Sequence, residues 1–172
     1  MEGETSNVRH MSELPHFDDE GHSRMVDVSE KSITRRLARA QGQVHMLPET
    51  LKRIKDHQFE KGDVLEVARL AGIMASKKTA DLIPLCHPLR LDSVNMNFRF
   101  ADDRTVEIEA IVVGHDRTGV EMEAMLSVSV AALTIYDMCK SVDRGMTLGE
   151  IQLMEKSGGK SGHFKRDRSS AE

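Results

Sequence analysis

Apolar and small residues fill almost every position of 124–136 within the stretch GVEMEAMLSVSVAALTIYDMCK (119–140). Ala124, Ser127, Ser129, Ala131, Ala132 and Thr134 are interleaved with Met125, Leu126, Val128, Val130, Leu133 and Ile135. No Gly or Pro interrupts the run, and it is too long for one strand, so it predicts a helix over about 120–141. A helix apolar on all sides is buried on all sides. Its small side chains would let another backbone approach closely, from a sheet and from a second subunit. Polar groups stand at the two ends, Glu121 and Glu123 at the start and Asp137 and Lys140 at the finish. The helix dipole favours the glutamates, and Asp137 and Lys140, three apart, suit an ordinary surface ion pair. A buried helix nevertheless tolerates carboxylates only where something pairs with them.

Before this helix the pattern changes period several times. MVDVS (25–29) reads as a short strand entering the domain. Over 32–46, Ala38, Ala40, Gly42, Val44 and Met46 alternate with Arg39, Gln41, Gln43 and His45, which predicts a half-buried strand. Pro48 opens a short helix with Leu47, Leu51 and Ile54 on one side. After the break at Lys61, Gly62 and Asp63, a second helix has Asp63 as its cap and Val64, Val67, Ala68, Ala71 and Met74 or Ala75 as its apolar face. It ends near Lys77 and Lys78, where cations suit the dipole. DLIPLCHPL (81–89) carries two prolines four apart and must be an ordered loop, which holds Cys86 and His87. Val94, Met96, Phe98 and Phe100, then Val106, Ile108, Ala110 and Val112, alternate with polar residues around a turn at 101–104, giving an antiparallel hairpin. A last strand covers 146–154. The order is close to βαββαβ, a ferredoxin-like α+β sandwich with an antiparallel sheet and helices on one face. The chain is expected to divide into a tail over 1–22, one α+β domain over 23–165 and a second tail over 166–172.

Composition narrows the chemistry. The chain has 172 residues, a net charge of −4 and no Trp, which argues against a general nucleic-acid binder and against base-stacking platforms. Cys86 and Cys139 form no CxxC and no metal set, as expected of a reduced, cytoplasmic protein. No uninterrupted apolar run of membrane-spanning length and no signal peptide stand out. The irregular histidines of the tail, His10, His16 and His22, suggest no metal site. EKSGGKSG (155–162) resembles a phosphate cradle, with glycines that turn backbone N–H groups toward an anion and Lys156 and Lys160 adding charge. It is no Walker A loop, because Met154 stands where the first glycine would be.

Three stretches together resemble one family: KGDVLEVARLAGIMASKKTADLIPLCHPL (61–89), TGVEMEAMLSVSVAALTIYDMCK (118–140) and KSGGKSG (156–162). They are similar to the molybdenum cofactor biosynthesis protein C family, the cyclic pyranopterin monophosphate synthases, and the likeness extends over about 22–165. It implies a lyase that converts a 3′,8-cyclised dihydro-GTP into cyclic pyranopterin monophosphate and releases diphosphate. It implies no cofactor and no metal, and a homohexamer built as a trimer of dimers with sites at subunit interfaces. Nucleic acid and membrane are not expected partners. Carried over by motif, the essential aspartate is Asp137, with Lys140 from the same motif and Lys61 from KGDV as catalytic partners. Leu85, Cys86, His87, Met122 and Glu123, with Glu121 alongside, fall at substrate-binding positions, as do Lys156 and Lys160. Lys77, Arg36 and Asp27 are supporting positions. The rival reading is a module that binds a purine nucleotide on the same scaffold without consuming it.

The residue types suit the reaction. Ring rebuilding requires general acids and bases, for which Asp137, Lys140, Lys61 and His87 are candidates. Diphosphate departure requires cations around developing charge, for which Lys156, Lys160 and Lys77 are candidates. Glu123 and Asp137 lie fourteen positions apart. If both are helical they stand roughly 21 Å apart along the axis. Either the first folds back ahead of the helix, or a neighbouring subunit supplies one end.

Overall fold

The computed structural model describes residues 20–60 and 62–167. Lys61, His10, His16 and most of both expected tails lie outside the described residues. The elements run β1 (Thr34–His45), α1 (Pro48–Lys55), α2 (Val64–Ser76), α3 (Thr79–Leu82), β2 (Leu91–Phe100), β3 (Thr105–Asp116), α4 (Glu121–Cys139), β4 (Thr147–Ser157) and β5 (Phe164–Lys165). Every pairing is antiparallel, in the order β2-β3-β1-β4-β5. The first four strands have the ferredoxin-like order, α4 packs against β1, β3 and β4, and α2 packs against α4 and β2. The expected α+β sandwich is therefore the observed one.

Local differences have physical causes. MVDVS (25–29) forms no strand, and α3 and β5, each too short to carry a period, were not foreseen. β4 runs on to Ser157, which places Lys156 on a strand rather than within the glycine-rich loop. β1 is the central strand. Its inward residues Ala38, Ala40 and Val44 are fully buried and lie opposite Val112, Ala110 and Val106 of β3.

The helical layer is drawn together by small residues. On α2 the buried face is Val64, Ala68, Gly72 and Ala75. Val67, expected inward, faces outward together with Leu70 and Met74, and of the alternatives Met74 or Ala75 it is Ala75 that is buried. Close packing on α4 selects the face without bulk: a Cβ on Gly72 would stand 2.8 Å from the Ser127 carbonyl oxygen. On α4, Ala124, Val128, Ala131, Ala132 and Ile135 are buried, but Leu133 is 56% exposed. Within one chain the sheet and α2 cover two sides of this helix, and Leu133 lies on the side that neither covers. The helix is long and apolar enough to cross a membrane, yet half of it is buried inside the fold. Its hydroxyls are satisfied within the helix, Ser127 Oγ donating to Glu123 O at 2.8 Å and Thr134 Oγ1 to Val130 O at 2.7 Å.

Asp63 caps α2 as expected, accepting from the Leu65 and Glu66 amides at 3.0 and 3.2 Å. The start of α1 is capped differently. Leu47 occupies the N-cap position and has no side-chain acceptor. Buried Asp143 supplies it, with Oδ2 accepting from Leu47 N at 2.8 Å and from Thr50 Oγ1 at 3.2 Å. Its Oδ1 accepts from Gly145 N at 3.0 Å. Replacing Asp143 by Ala strands these donors. Urea unfolding is expected to show a loss of about 2–3 kcal/mol for Asp143→Ala, and a smaller loss for Asp143→Asn, which keeps one acceptor.

Candidate active site

The N-terminal end of α4 projects into a cavity whose wall is otherwise largely apolar. Val26, Val28, Leu85, Leu89 and Met122 supply that wall, and the space is about 480 Å³. Polar chemistry enters it from Cys86, His87, Lys31, Glu121 and Glu123. Glu123 is 3% exposed. Burial pushes its carboxyl up to about 7, and the neighbouring Glu121 adds to the rise. Its own backbone N–H and the Thr79 hydroxyl act in the opposite direction. Burial, with Glu123 beside it, also raises the Cys86 thiol. Asp27 lies nearby on the segment before β1. Its carboxylate accepts the Ser29 amide at 2.8 Å and is held below the usual range by that bond, with Arg117 and His87 contributing.

A second cavity of about 580 Å³ adjoins the first and shares Lys31, Thr118, Gly119 and Glu121 with it. Five cations line it: Lys31, Arg36, Arg117, Lys156 and Lys160. Arg36 is 7% exposed and its guanidinium is fixed at the back of the space. Nε donates to Asp116 O at 3.1 Å and Nη2 to Arg117 O at 2.9 Å, so β1 ties down the turn leading to α4. The loop over 158–162 folds across this guanidinium. Gly158 and Gly159 have φ of +97° and +77°, and a Cβ on Gly159 would fall inside the Arg36 side chain. Lys156 Nζ donates to Ser161 Oγ across the base of the loop. A cradle of this kind suits a polyanion: fixed cations with backbone turned inward, beside an apolar slot ending in a carboxyl.

Of the residues expected at the site, Leu85, Cys86, His87, Met122, Glu121 and Glu123 meet in the first cavity, and Arg36, Lys156 and Lys160 in the second. Asp137 and Lys140 pair at 2.6 Å at the opposite end of α4, with side chains 62% and 52% exposed. The Lys140 ammonium is held above its ordinary range by that partner. Both Glu123 and Asp137 are helical, so the option in which the GVEME segment precedes the helix is excluded. Lys77 forms the exposed C-cap of α2 and lines neither cavity. Lys61 lies outside the described residues. Lys31, Arg117 and Thr79 were missed: they sit in loops or at a helix start, where no periodicity marks them. Only the position of Arg117, next to TGVEME, offered a signal.

Residues 25–159 match the model of the MoaC family. This chain belongs to the MoaC family. Among its relatives, a cyclic pyranopterin monophosphate synthase of Magnetococcus marinus is 60% identical over 158 residues, covering 91% of this chain and 97% of that protein. One of Desulfitobacterium hafniense is 58% identical over 155 residues, covering 90% and 95%. Cyclic pyranopterin monophosphate synthase 1 of Mycobacterium tuberculosis is 54% identical over 162 residues, covering 94% and 95%. The resemblance expected from the sequence motifs thus holds across nearly the whole chain, and the MoaC match takes in both cavities except Lys160 and Ser161.

The buried carboxyl has a consequence for stability. A carboxyl raised from 4.5 to about 7 binds its proton more tightly folded than unfolded. Stability therefore falls as pH climbs from about 4.5 to about 7 and levels off above it, by on the order of 3 kcal/mol. Glu123→Gln is expected to raise the unfolding free energy at pH 8 by roughly 2–3 kcal/mol and to lose that advantage near pH 5, as measured by urea titration at each pH.

Proposed function

We propose that this chain is a lyase of molybdenum cofactor biosynthesis that converts a 3′,8-cyclised dihydro-GTP into cyclic pyranopterin monophosphate and diphosphate. One observation carries the reading: an apolar slot ending in Glu123 opens directly into a cradle of five cations. The slot suits a purine-derived ring and the cradle a triphosphate. Closing the cyclic phosphate forms one P–O bond and breaks another, and the charge gained by the departing diphosphate is stabilised by Lys31, Arg117, Lys156 and Lys160. Glu123, titrating near neutrality, is matched to giving and taking protons at the ring. The MoaC relatives, each named for this synthase, support the same reaction.

The remaining acid–base pair, Asp137 and Lys140, comes from a neighbouring chain in this reading. The enzyme is a homohexamer, a trimer of dimers, with sites at subunit interfaces. The roughly 21 Å of helix between Glu123 and Asp137 supports this. So does the apolar surface formed by exposed Leu133, Val67, Leu70 and Met74. A two-fold pairing of this face would bring the far end of one α4 to the near end of the other. Cys86 and Cys139, neither of them in a disulfide, fit a cytoplasmic location.

Asp137→Asn is expected to lower diphosphate release at least about 100-fold while leaving substrate affinity within about tenfold, or 1.4 kcal/mol. A module that only binds nucleotide has no such release to lose. Co-expressing Asp137→Asn with Glu123→Gln, each deficient alone, should restore about a quarter of wild-type activity, since half of random dimers carry one intact site of two. No recovery on mixing would refute the shared site.

A further inference from the structure

The glycine-rich loop that closes the anion cradle is the tip of a hairpin, and its two stems are held unequally. Three of the five residues over 158–162 are glycines with positive φ, a backbone with little stiffness of its own, so the stems decide where Lys160 points. The outgoing stem is secure: Lys156 and Ser157 of β4 pair with Ala38 and Leu37 of the central strand. The returning stem is β5, two residues long at the edge of the sheet. Side chains make up the difference. Arg166 donates from Nε to Leu153 O at 3.0 Å and from its amide to Met154 O at 2.8 Å. Just before β5, His163 Nε2 stands 2.9 Å from Glu155 Oε1. Glu155 is itself fixed, with Oε2 3.5 Å from Arg39 Nη2, and Arg39 Nη1 lies 3.4 Å from Glu109 Oε2. An irregularity in β4 sets this up. There β4 advances two residues, from Glu155 to Leu153, while β1 advances one, from Arg39 to Ala40, which leaves Glu155 opposite Arg39. Groups of alternating polarity thus run from the returning stem to β3. The bond from His163, with the charges of Arg39 and Lys165, holds the Glu155 carboxyl below its ordinary value, so the carboxylate accepts and the ring donates.

We propose that His163 is a positioning residue for the anion cradle: by gripping Glu155 it fixes the returning stem of the glycine loop and so aims Lys160 at the diphosphate portion of the substrate. The assignment rests on the synthase reading of the cradle and deepens it. His163 lines neither cavity, so it acts through the loop rather than on the substrate. Its side chain is 56% exposed, and an exposed pair adds little to global stability. What it supplies is direction.

Isothermal titration calorimetry of the full chain with inorganic diphosphate reads the cradle without turnover. His163→Phe keeps a ring but no N–H and should weaken diphosphate binding about fivefold, as should His163→Ala. His163→Gln carries an N–H at the same reach and should bind within about twofold of wild type. Thermal unfolding midpoints should stay within about 3 °C of wild type throughout. In turnover, His163→Phe should raise KM for the cyclised nucleotide about fivefold and leave kcat within about twofold. Added to Lys160→Ala, His163→Phe should cost less than about twofold further, because the group it aims is gone. Unchanged affinity in Phe and Ala, no rescue by Gln, or an undiminished cost in the Lys160→Ala chain would overturn the assignment. A wild-type chain that binds diphosphate with this pattern yet releases none from the cyclised nucleotide would overturn the synthase reading and leave the His163 grip standing.

Discussion

The close approach of α4 to the sheet on one side and to α2 on the other governs both the packing and the site. Ala124, Val128, Ala131 and Ala132 present little bulk, and Gly72 gives α2 room beside Ser127. Interiors are packed like crystals, so a helix seated this tightly has little freedom to slide. Its first turn is held where Glu123 must be buried, and its last turn is held where Asp137 and Lys140 remain in solvent. One rigid rod thus carries two acid–base groups to two places. Burial costs the carboxylate its hydration and raises its proton affinity, whereas the exposed pair stays in contact with solvent.

Around that rod the anion cradle is assembled from segments distant in sequence. Arg36 comes from β1, Arg117 from the turn before α4, and Lys156 and Lys160 from the end of β4 and the loop beyond. The guanidinium of Arg36 unites them, because two of its N–H groups hold the turn carbonyls while the glycine loop folds over a third nitrogen. Such preorganisation matters for phosphoryl chemistry, where fixed donors stabilise charge without having to reorient as it develops.

The sandwich and its helices were legible in the sequence because the alternation in β1, β2 and β3 is strict and α4 has no breaks. Outer faces were not. Val67 and Met74 look like core by spacing, and only the preference for a small contact face beside Ser127 turns them outward. Candidate site residues within motifs, such as Glu123, His87 and Lys160, stood out by type and neighbourhood. Lys31 and Thr79 did not, since a lone lysine in a loop and a threonine at a helix start have ordinary explanations. The cap from Asp143 was illegible for a different reason: the residue it serves lies 96 positions earlier.

That long reach, together with the position of β1 between β3 and β4, bears on how the chain is made. Strand one has no partner to pair with until residues beyond 105 exist, and its second flank stays open until those beyond 147 do. The start of α1 waits for Asp143 as well. During vectorial synthesis the opening third of the domain must therefore remain uncommitted while the ribosome completes the rest. Contacts so distant in sequence slow folding, and the exposed interval falls where a chaperone would have most to shield.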